Sequence, residues 1–282
     1  MQAATVFTWL CSKLRSAKDQ DPWFSAAGEA RAFLRHFAPE DADNADLVPV
    51  ADYPPALLRT LGEAAGRRAG GEPFAYITGI RGFHAIDLAV TPATLIPRPE
   101  SELLVDAALE TRTRQGLSVL DLGTGSGCLL LATLAARPDA WGIGVDCSPA
   151  ALAVAHSNAR RLGLDDRAFF VASDWGDGLN YAFDVVLVNP PYIARNELAI
   201  LQPGIRHFEP ELALDGGPDG LGCYRLLAAK LHQLMKPQAL AFIELGAGQS
   251  EAVTDLFRGA GYQIREVKRD LSGIQRCLIL GP

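Results

Sequence analysis

The segment Asn189-Pro190-Pro191-Tyr192 has residue types suited to holding a planar nitrogen group. It follows residues 183–188, an apolar run typical of a buried strand. The two prolines fix the backbone and remove two N–H donors, which leaves carbonyl oxygens as the polar groups. The side-chain oxygen of Asn189 and the carbonyl oxygen of Pro190 can both accept hydrogen bonds from one NH2 group, beside the flat face of Tyr192. The segment predicts chemistry at an amide or base nitrogen; a proline-rich turn is the alternative.

A glycine-rich loop, Gly123-Thr124-Gly125-Ser126-Gly127, lies upstream of that segment. Its glycines allow the backbone to turn tightly and to approach a ligand without a side-chain collision. The spacing G-x-G-x-G differs from the dinucleotide-binding pattern G-x-G-x-x-G. Alone, the loop predicts only a tight turn between a strand and a helix.

The acidic residue Asp146 makes the loop more informative. It follows the strand predicted at residues 141–145, about twenty residues after the loop, where a carboxylate can bind both hydroxyls of a ribose. Asp121, at the head of the loop, would repel a phosphate but suits an ammonium group. A nucleoside with an amino-acid tail fits both acids, so S-adenosylmethionine is the predicted cofactor. A solvent-exposed aspartate that merely closes a strand is the alternative for Asp146.

Trp175 follows a further predicted strand, residues 168–172. At that position its ring can stack on the adenine of a bound nucleoside. The alternative is a core tryptophan at the end of a strand.

Methyl transfer to nitrogen needs little beyond these groups. The sulfonium of the cofactor already activates the methyl, so the protein mainly supplies orientation. Two acceptors on the NH2 favour the positive charge that develops as the nitrogen attacks. A strong general base is not required, because the nitrogen becomes acidic once it is methylated.

The elements that must position these groups predict an α/β fold. Helical spacing dominates the first third of the chain, alternation at residues 84–90 predicts a hairpin, and a helix is predicted from 99 to about 114. Short apolar strands then alternate with helices, which predicts a largely parallel, Rossmann-like sheet covered on both faces. The predicted domains are a helical domain at 1–70, a β-hairpin linker at 71–94 and an α/β domain at 95–282.

Composition narrows the possible functions. The net charge of −7 disfavours a protein that grips a nucleic-acid backbone. The five cysteines and five histidines show no C-x-x-C pair and no ligand spacing, so neither a disulfide framework nor a metal site is expected. With no apolar run of about 20 residues and no signal-peptide pattern, a cytoplasmic location without membrane association is expected.

Several further motifs resemble one family. The motifs are Gly71-Glu72-Pro73, Tyr76-Ile77-Thr78-Gly79, Leu95-Ile96-Pro97-Arg98-Pro99-Glu100-Ser101-Glu102, Glu209-Pro210, Ala213-Leu214 and Gly216-Gly217-Pro218-Asp219-Gly220-Leu221. Together with the glycine loop, Asp146 and the Asn-Pro-Pro-Tyr segment, they resemble the HemK family of class I methyltransferases. The resemblance covers nearly the whole chain from residue 70. Ser101 departs from the pattern, where the family usually has threonine, and little effect is expected because the hydroxyl is kept.

The resemblance implies methylation of the side-chain amide N5 of the glutamine in the Gly-Gly-Gln motif of class I peptide chain release factors. It implies that residues 123–127, Asp146, Trp175 and Asn189 contact the cofactor, and that residues 189–192 hold the glutamine. It also implies that the N-terminal helices, residues 1–70, help to grip the release factor.

Three other functions fit parts of the sequence. A glutamine of a ribosomal protein is an alternative substrate that the same core motifs would serve. The exocyclic amine of a flipped adenine in DNA or RNA is another, although the acidic composition argues against a direct nucleic-acid substrate. The third is a cofactor-binding scaffold without catalysis, which intact loop and substrate motifs disfavour.

Overall fold

The computed structural model describes residues 4–15, 25–110 and 116–282. Two compact units are distinguished: Met1–Gly79 together with Ile200–Phe208, and Ile80–Ala199 together with Glu209–Pro282. The hairpin therefore belongs to the second unit. The predicted roles of residues 1–70, 71–94 and 95–282 stay predictions, because the division into compact units does not test what each part does.

The first unit is helical. Its helices are Val6–Leu14, Ala26–Phe37, Pro55–Ala69, Phe74–Thr78 and Pro203–Phe208. Ser25 caps the second helix by accepting a hydrogen bond from the Gly28 N–H, and Pro55 suits the first turn of the third. Apolar side chains of these helices form one core that includes Leu10, Phe33 and Leu61.

The second unit begins with a hairpin, β1 (Ile80–Phe83) and β2 (Ile86–Ala89), paired antiparallel. The region predicted as a hairpin linker at 71–94 also contains the helix Phe74–Thr78, which ends at Gly79 in the left-handed conformation. The helix predicted from residue 99 has a 3-10 turn at Pro99–Ser101 and an α-helix at Glu102–Glu110. Its predicted end near residue 114 lies outside the described residues.

A seven-stranded sheet forms the centre of the second unit. Its strands are β3 (Ser118–Leu122), β4 (Trp141–Asp146), β5 (Ala168–Ala172), β6 (Phe183–Val188), β7 (Met235–Glu244), β8 (Gln263–Arg269) and β9 (Gln275–Gly281), in the order β5-β4-β3-β6-β7-β9-β8. Strands β3 to β7 pair in parallel, and β9 pairs antiparallel with β7 and β8. The remaining helices are Cys128–Ala136, Pro149–Arg161, Gly222–Leu234 and Ser250–Gly259. This arrangement confirms the predicted α/β fold with a largely parallel sheet.

Both faces of the sheet are buried, as the apolar strands require. In β6, Val185 and Leu187 join one apolar cluster, while Val186 and Val188 join the cluster on the other face. The chain leaves β3 towards β4 and later returns to β3 on its other side with β6. The carboxyl ends of β3, β4 and β6 thus meet where the strand order reverses, which is where open α/β sheets bind ligands.

Across the described ranges, no helix is both long and apolar enough to cross a bilayer.

Candidate functional site

A cavity of about 250 Å³ opens at the carboxyl ends of β3, β4 and β6. Most of the residues singled out from the sequence line it, namely Gly123, Thr124, Gly125, Ser126, Asp146, Trp175, Asn189 and Pro191. Gly127, Pro190 and Tyr192 adjoin these residues in the chain but are not part of the lining. The sheet therefore brings the glycine loop, the acidic strand end and the Asn-Pro-Pro-Tyr segment to one place.

The glycine loop depends on left-handed backbone conformations. The φ angles of Gly123, Gly125 and Gly127 are 74°, 54° and 85°, a region that other residues rarely adopt. A Cβ at Gly127 would also lie 2.9 Å from Leu131 Cδ1. Gly127 therefore serves the entry into the helix Cys128–Ala136, while Gly123 and Gly125 shape the cavity wall.

Asp146 joins the glycine loop to the following helix. Its Oδ2 accepts a hydrogen bond from the Gly125 N–H at 2.9 Å, and its Oδ1 accepts one from the Ser148 N–H at 2.9 Å. Each carboxylate oxygen keeps a further lone pair. The side chain is only partly buried and lines the cavity, so these lone pairs suit two hydroxyl donors of a ligand.

Asp121 places a second carboxyl in the cavity wall. Its Oδ2 accepts hydrogen bonds from Thr124 Oγ1 at 2.7 Å and from the Leu130 N–H at 3.3 Å. Its Oδ1 is buried and has no partner among the described residues. Burial raises the pKa of Asp121 to about 7. An unpaired buried carboxyl oxygen is costly, and a ligand ammonium would satisfy it, so the site fits the amino-acid end of S-adenosylmethionine.

Trp175 is partly buried at the cavity and has a φ of 51°, which is uncommon for a residue with a side chain. A Cβ at Gly123 would lie 3.8 Å from Trp175 Cζ3. The ring also packs against the apolar cluster of the sheet. The residue thus contributes to the core and to the cavity wall, and stacking on adenine stays a prediction.

Asn189 is held by residues that the sequence reasoning missed. Asn189 Nδ2 donates to Ser101 Oγ at 3.1 Å, and Ser101 Oγ donates to Glu244 Oε2 at 2.5 Å. Tyr192 OH donates to Glu244 Oε1 at 3.3 Å. Glu244 is 1% exposed, and burial raises its pKa to about 7. One signal was available: Glu244 ends an apolar strand next to β6, as Asp146 ends β4.

The acceptors of the Asn-Pro-Pro-Tyr segment remain open. In the part of the chain that the structure describes, no group donates to Asn189 Oδ1 or to the Pro190 carbonyl oxygen. The Tyr192 carbonyl, in contrast, accepts from Gln249 Nε2 at 2.9 Å, and burial raises the pKa of the Tyr192 hydroxyl. The segment therefore has a fixed backbone and two acceptors for an incoming NH2 group.

An ion pair brings two of the other motifs together. Arg98 Nη2 lies 2.5 Å from Glu209 Oε1, and Glu209 Oε2 accepts from the Ile96 N–H at 3.1 Å. Arg98 lines the cavity, and the Glu209 side chain is 1% exposed. This pair fixes the loop that leads to Ser101. Within the described ranges, no three His, Cys, Asp or Glu side chains are grouped to hold a metal ion.

Known proteins with similar sequences and structures are methyltransferases. A family model described as a methyltransferase domain matches residues 113–240. The release factor glutamine methyltransferase of Rhodospirillum rubrum is 46% identical over 225 residues, which cover 80% of this chain and 69% of that protein. The protein of the same name from Caulobacter vibrioides is 46% identical over 234 residues, covering 82% and 81%. The crystal structure of a methyltransferase from Pyrococcus furiosus superimposes with a TM-score of 0.52 at 16% identity, over 70% of this chain and 88% of that one, which supports the fold alone.

Proposed function

This chain belongs to the family of release factor glutamine methyltransferases, and from that membership we propose its reaction and substrate. It transfers a methyl group from S-adenosylmethionine to the side-chain amide N5 of the glutamine in the Gly-Gly-Gln motif of class I peptide chain release factors. The fold is that of a class I methyltransferase, and the cofactor is the one such enzymes use. The observation that carries the proposal is a pair of neighbouring acceptors to which no described group donates, the side-chain oxygen of Asn189, a residue of the cavity lining, and the adjacent Pro190 carbonyl oxygen.

The main contribution of the site to the reaction is to orient the glutamine amide relative to the methyl group. When bound, S-adenosylmethionine would supply a methyl on a positively charged sulfur; the S–C bond would break as the N–C bond forms, the neutral thioether S-adenosylhomocysteine would leave, and the nitrogen would lose one proton to water. Asn189 Oδ1 and the Pro190 carbonyl accept the two N–H groups of the glutamine amide and favour the charge that develops on its nitrogen. Tyr192 and the rigid prolines keep these acceptors in place. The amide lone pair, otherwise delocalised, is thereby directed at the methyl.

The cofactor is held by the remaining lining residues. Asp146 would accept hydrogen bonds from the ribose hydroxyls with its free lone pairs, and Asp121 Oδ1 would pair with the ammonium group. The backbone of residues 123–127 would lie against the amino-acid tail, and Trp175 would cover the adenine. These roles rest on the cavity lining and on the hydrogen bonds that each group has left open.

The helical unit is proposed to recognise the release factor, and the enzyme is proposed to work in the cytoplasm, where translation ends. We expect no direct nucleic-acid substrate, because the net charge of −7 disfavours a general attraction to a phosphate backbone.

The test is a labelling experiment. Purified protein is incubated with labelled S-adenosylmethionine and a purified class I release factor, and the label is located by mass spectrometry. A methyl on the glutamine of the Gly-Gly-Gln motif, absent when that glutamine is replaced by alanine, supports the proposal. Label on a ribosomal protein or on nucleic acid, with none on the release factor, would overturn it.

A further inference from the structure

We propose that Glu244, acting through Ser101, sets which end of the Asn189 amide faces the substrate. Both are positioning residues, and the inference rests on the proposed function. The three side chains form one hydrogen-bonded series that begins at a buried carboxylate at the end of β7 and ends at the cavity.

The direction of the hydrogen bonds follows from the chemistry of each group. At a pH above its raised pKa of about 7, Glu244 is ionised and only accepts hydrogen bonds, so Ser101 must give its single hydroxyl hydrogen to Glu244. The lone pairs of Ser101 Oγ are then left to accept, and they attract the NH2 end of Asn189. Asn189 Oδ1 therefore faces away from Ser101 and stays open as an acceptor. With Ser101 pointing the other way, the amide would flip and present NH2 to the NH2 of a glutamine, where two donors meet without an acceptor.

The same carboxylate restrains both ends of the Asn-Pro-Pro-Tyr segment. Glu244 Oε2 is tied through Ser101 to Asn189, and Glu244 Oε1 accepts from Tyr192 OH. The backbone of Glu244 is fixed as well, since Tyr224 OH donates to its carbonyl oxygen at 2.9 Å. Asn189 and Tyr192, which flank the two prolines, are thus both held in place by Glu244.

Burying the carboxyl of Glu244 at the end of β7 costs desolvation free energy and does not by itself stabilise the strand. Glu244 is 1% exposed, and no lysine or arginine in the described residues forms an ion pair with it; the nearby Arg276 pairs with Asp270 at 3.2 Å. An apolar or neutral side chain would be cheaper to bury. Retaining a carboxylate here is explained if its acceptor-only character is needed to orient Ser101 and Asn189.

The decisive variant is Glu244→Gln, which keeps the volume but has a side-chain NH2 that can donate to Ser101. Ser101 is then free to donate to Asn189, and the series can reverse. We expect kcat to fall about 10- to 100-fold, somewhat less than for loss of a direct transition-state contact. The melting temperature should be unchanged or higher, and the Kd for S-adenosylmethionine should change less than about twofold. Ser101→Ala should lower kcat similarly, whereas Ser101→Thr, which keeps the hydroxyl, should retain most of it.

A second readout does not depend on turnover. The chain has five asparagines, so the side-chain NH2 signal of Asn189 can be assigned in the NMR spectrum of asparagine-labelled protein by its loss in Asn189→Ala. In the wild type the hydrogen bond to Ser101 should slow exchange of this NH2 with water, and Glu244→Gln and Ser101→Ala should remove that protection.

These experiments distinguish a failure of the proposed function from a failure of the proposed role of Glu244 and Ser101. A wild-type protein that does not methylate release factor contradicts the proposed function, while the NMR signal still decides the orientation of Asn189. An unchanged Asn189 signal in Glu244→Gln overturns the inference, and so does a kcat that falls only in proportion to a lowered melting temperature, since that pattern marks a purely structural role.

Discussion

The amide nitrogen of Gly125 lies 2.9 Å from Asp146 Oδ2 and donates a hydrogen bond to it. This bond ties the glycine loop after β3 directly to the end of β4, although the two residues are 21 positions apart. The Gly123 and Thr124 N–H groups also donate to the Val145 carbonyl, at 2.8 and 2.9 Å. The loop is therefore held in its binding shape by the strand end itself, which reduces the conformational entropy lost when a ligand binds.

Replacing Asp146 by alanine should weaken cofactor binding and leave the chemical step almost unaffected. Two hydrogen bonds that ribose hydroxyls would donate to the carboxylate are lost, each worth about 1.5 to 3 kcal/mol, and so is the hydrogen bond from the Gly125 N–H that holds the loop. We expect the Kd for S-adenosylmethionine to rise by about 100-fold or more, with kcat at saturating cofactor within about threefold of the wild type. Isothermal titration calorimetry measures the first and steady-state kinetics the second.

Asp146→Asn serves as the matched control, because it keeps one acceptor oxygen and should bind with intermediate affinity. A Kd in Asp146→Ala equal to that of the wild type would remove this residue from the ribose.

Cofactor affinity should depend on pH through Asp121. Burial raises the pKa of this carboxyl to about 7 in the free protein, with a smaller contribution from Asp146. A carboxylate pairs with an ammonium group, whereas a protonated carboxyl does not. The Kd for S-adenosylmethionine should therefore fall as the pH rises from about 6 to about 8, by up to about tenfold per unit below the pKa, and binding should release a proton.

The control for this prediction is Asp121→Asn, which keeps an acceptor for Thr124 and Leu130 but cannot ionise. Its Kd should be higher than that of the wild type at pH 8 and nearly constant with pH. A wild-type Kd that is flat across this range would show that Asp121 does not pair with the ammonium group.

The fold was predictable wherever local pattern decides structure. The strands at 168–172 and 183–188 begin and end as predicted, because each is a short, largely apolar run with a clear boundary on either side. The short helix Pro203–Phe208 was missed, since six residues do not establish a helical period.

Site residues could be predicted from the sequence where a single loop or the end of a single strand supplies them. The glycine loop, Asp146 and Asn189 all stand at carboxyl ends of adjacent parallel strands, so their meeting followed from the fold class. The partnership of Ser101 with Glu244 did not, because it joins residues 143 positions apart. For Ser101 the sequence indicated only that a hydroxyl is kept in place of threonine; in the structure that hydroxyl bonds both Asn189 and Glu244.

Asn189→Ala should nearly abolish methyl transfer and leave the fold intact. The side-chain oxygen that accepts from the substrate amide is lost, a change comparable to removing one group that stabilises charge in a transition state, at about 10²- to 10³-fold in kcat. The Kd for S-adenosylmethionine should change far less than in Asp146→Ala. Single-turnover kinetics with labelled cofactor measure the first quantity and calorimetry the second.

Asn189→Asp keeps the shape and one acceptor but loses the donation to Ser101, and it should also be slow. Turnover near the wild-type rate in Asn189→Ala would be incompatible with the proposed substrate site.

Asn158 should be a main stabiliser of the glycine loop from outside the cavity. It is fully buried on the helix Pro149–Arg161. Its Nδ2 donates to the carbonyls of Ala89 and Ser126 at 3.0 and 2.9 Å, and its Oδ1 accepts from the Ala89 N–H at 2.7 Å. Asn158→Ala leaves these buried backbone groups unpaired, so the free energy of unfolding should fall by about 2 to 4 kcal/mol.

Urea denaturation followed by circular dichroism measures that change, with Asn180→Ala, an exposed asparagine, as the control that should stay within about 0.5 kcal/mol of the wild type. Because the Ser126 carbonyl is released as well, the loop should lose order and the Kd for S-adenosylmethionine should rise in Asn158→Ala although the residue does not line the cavity. Equal unfolding midpoints for the two variants would show that β2 and the glycine loop are held by other contacts.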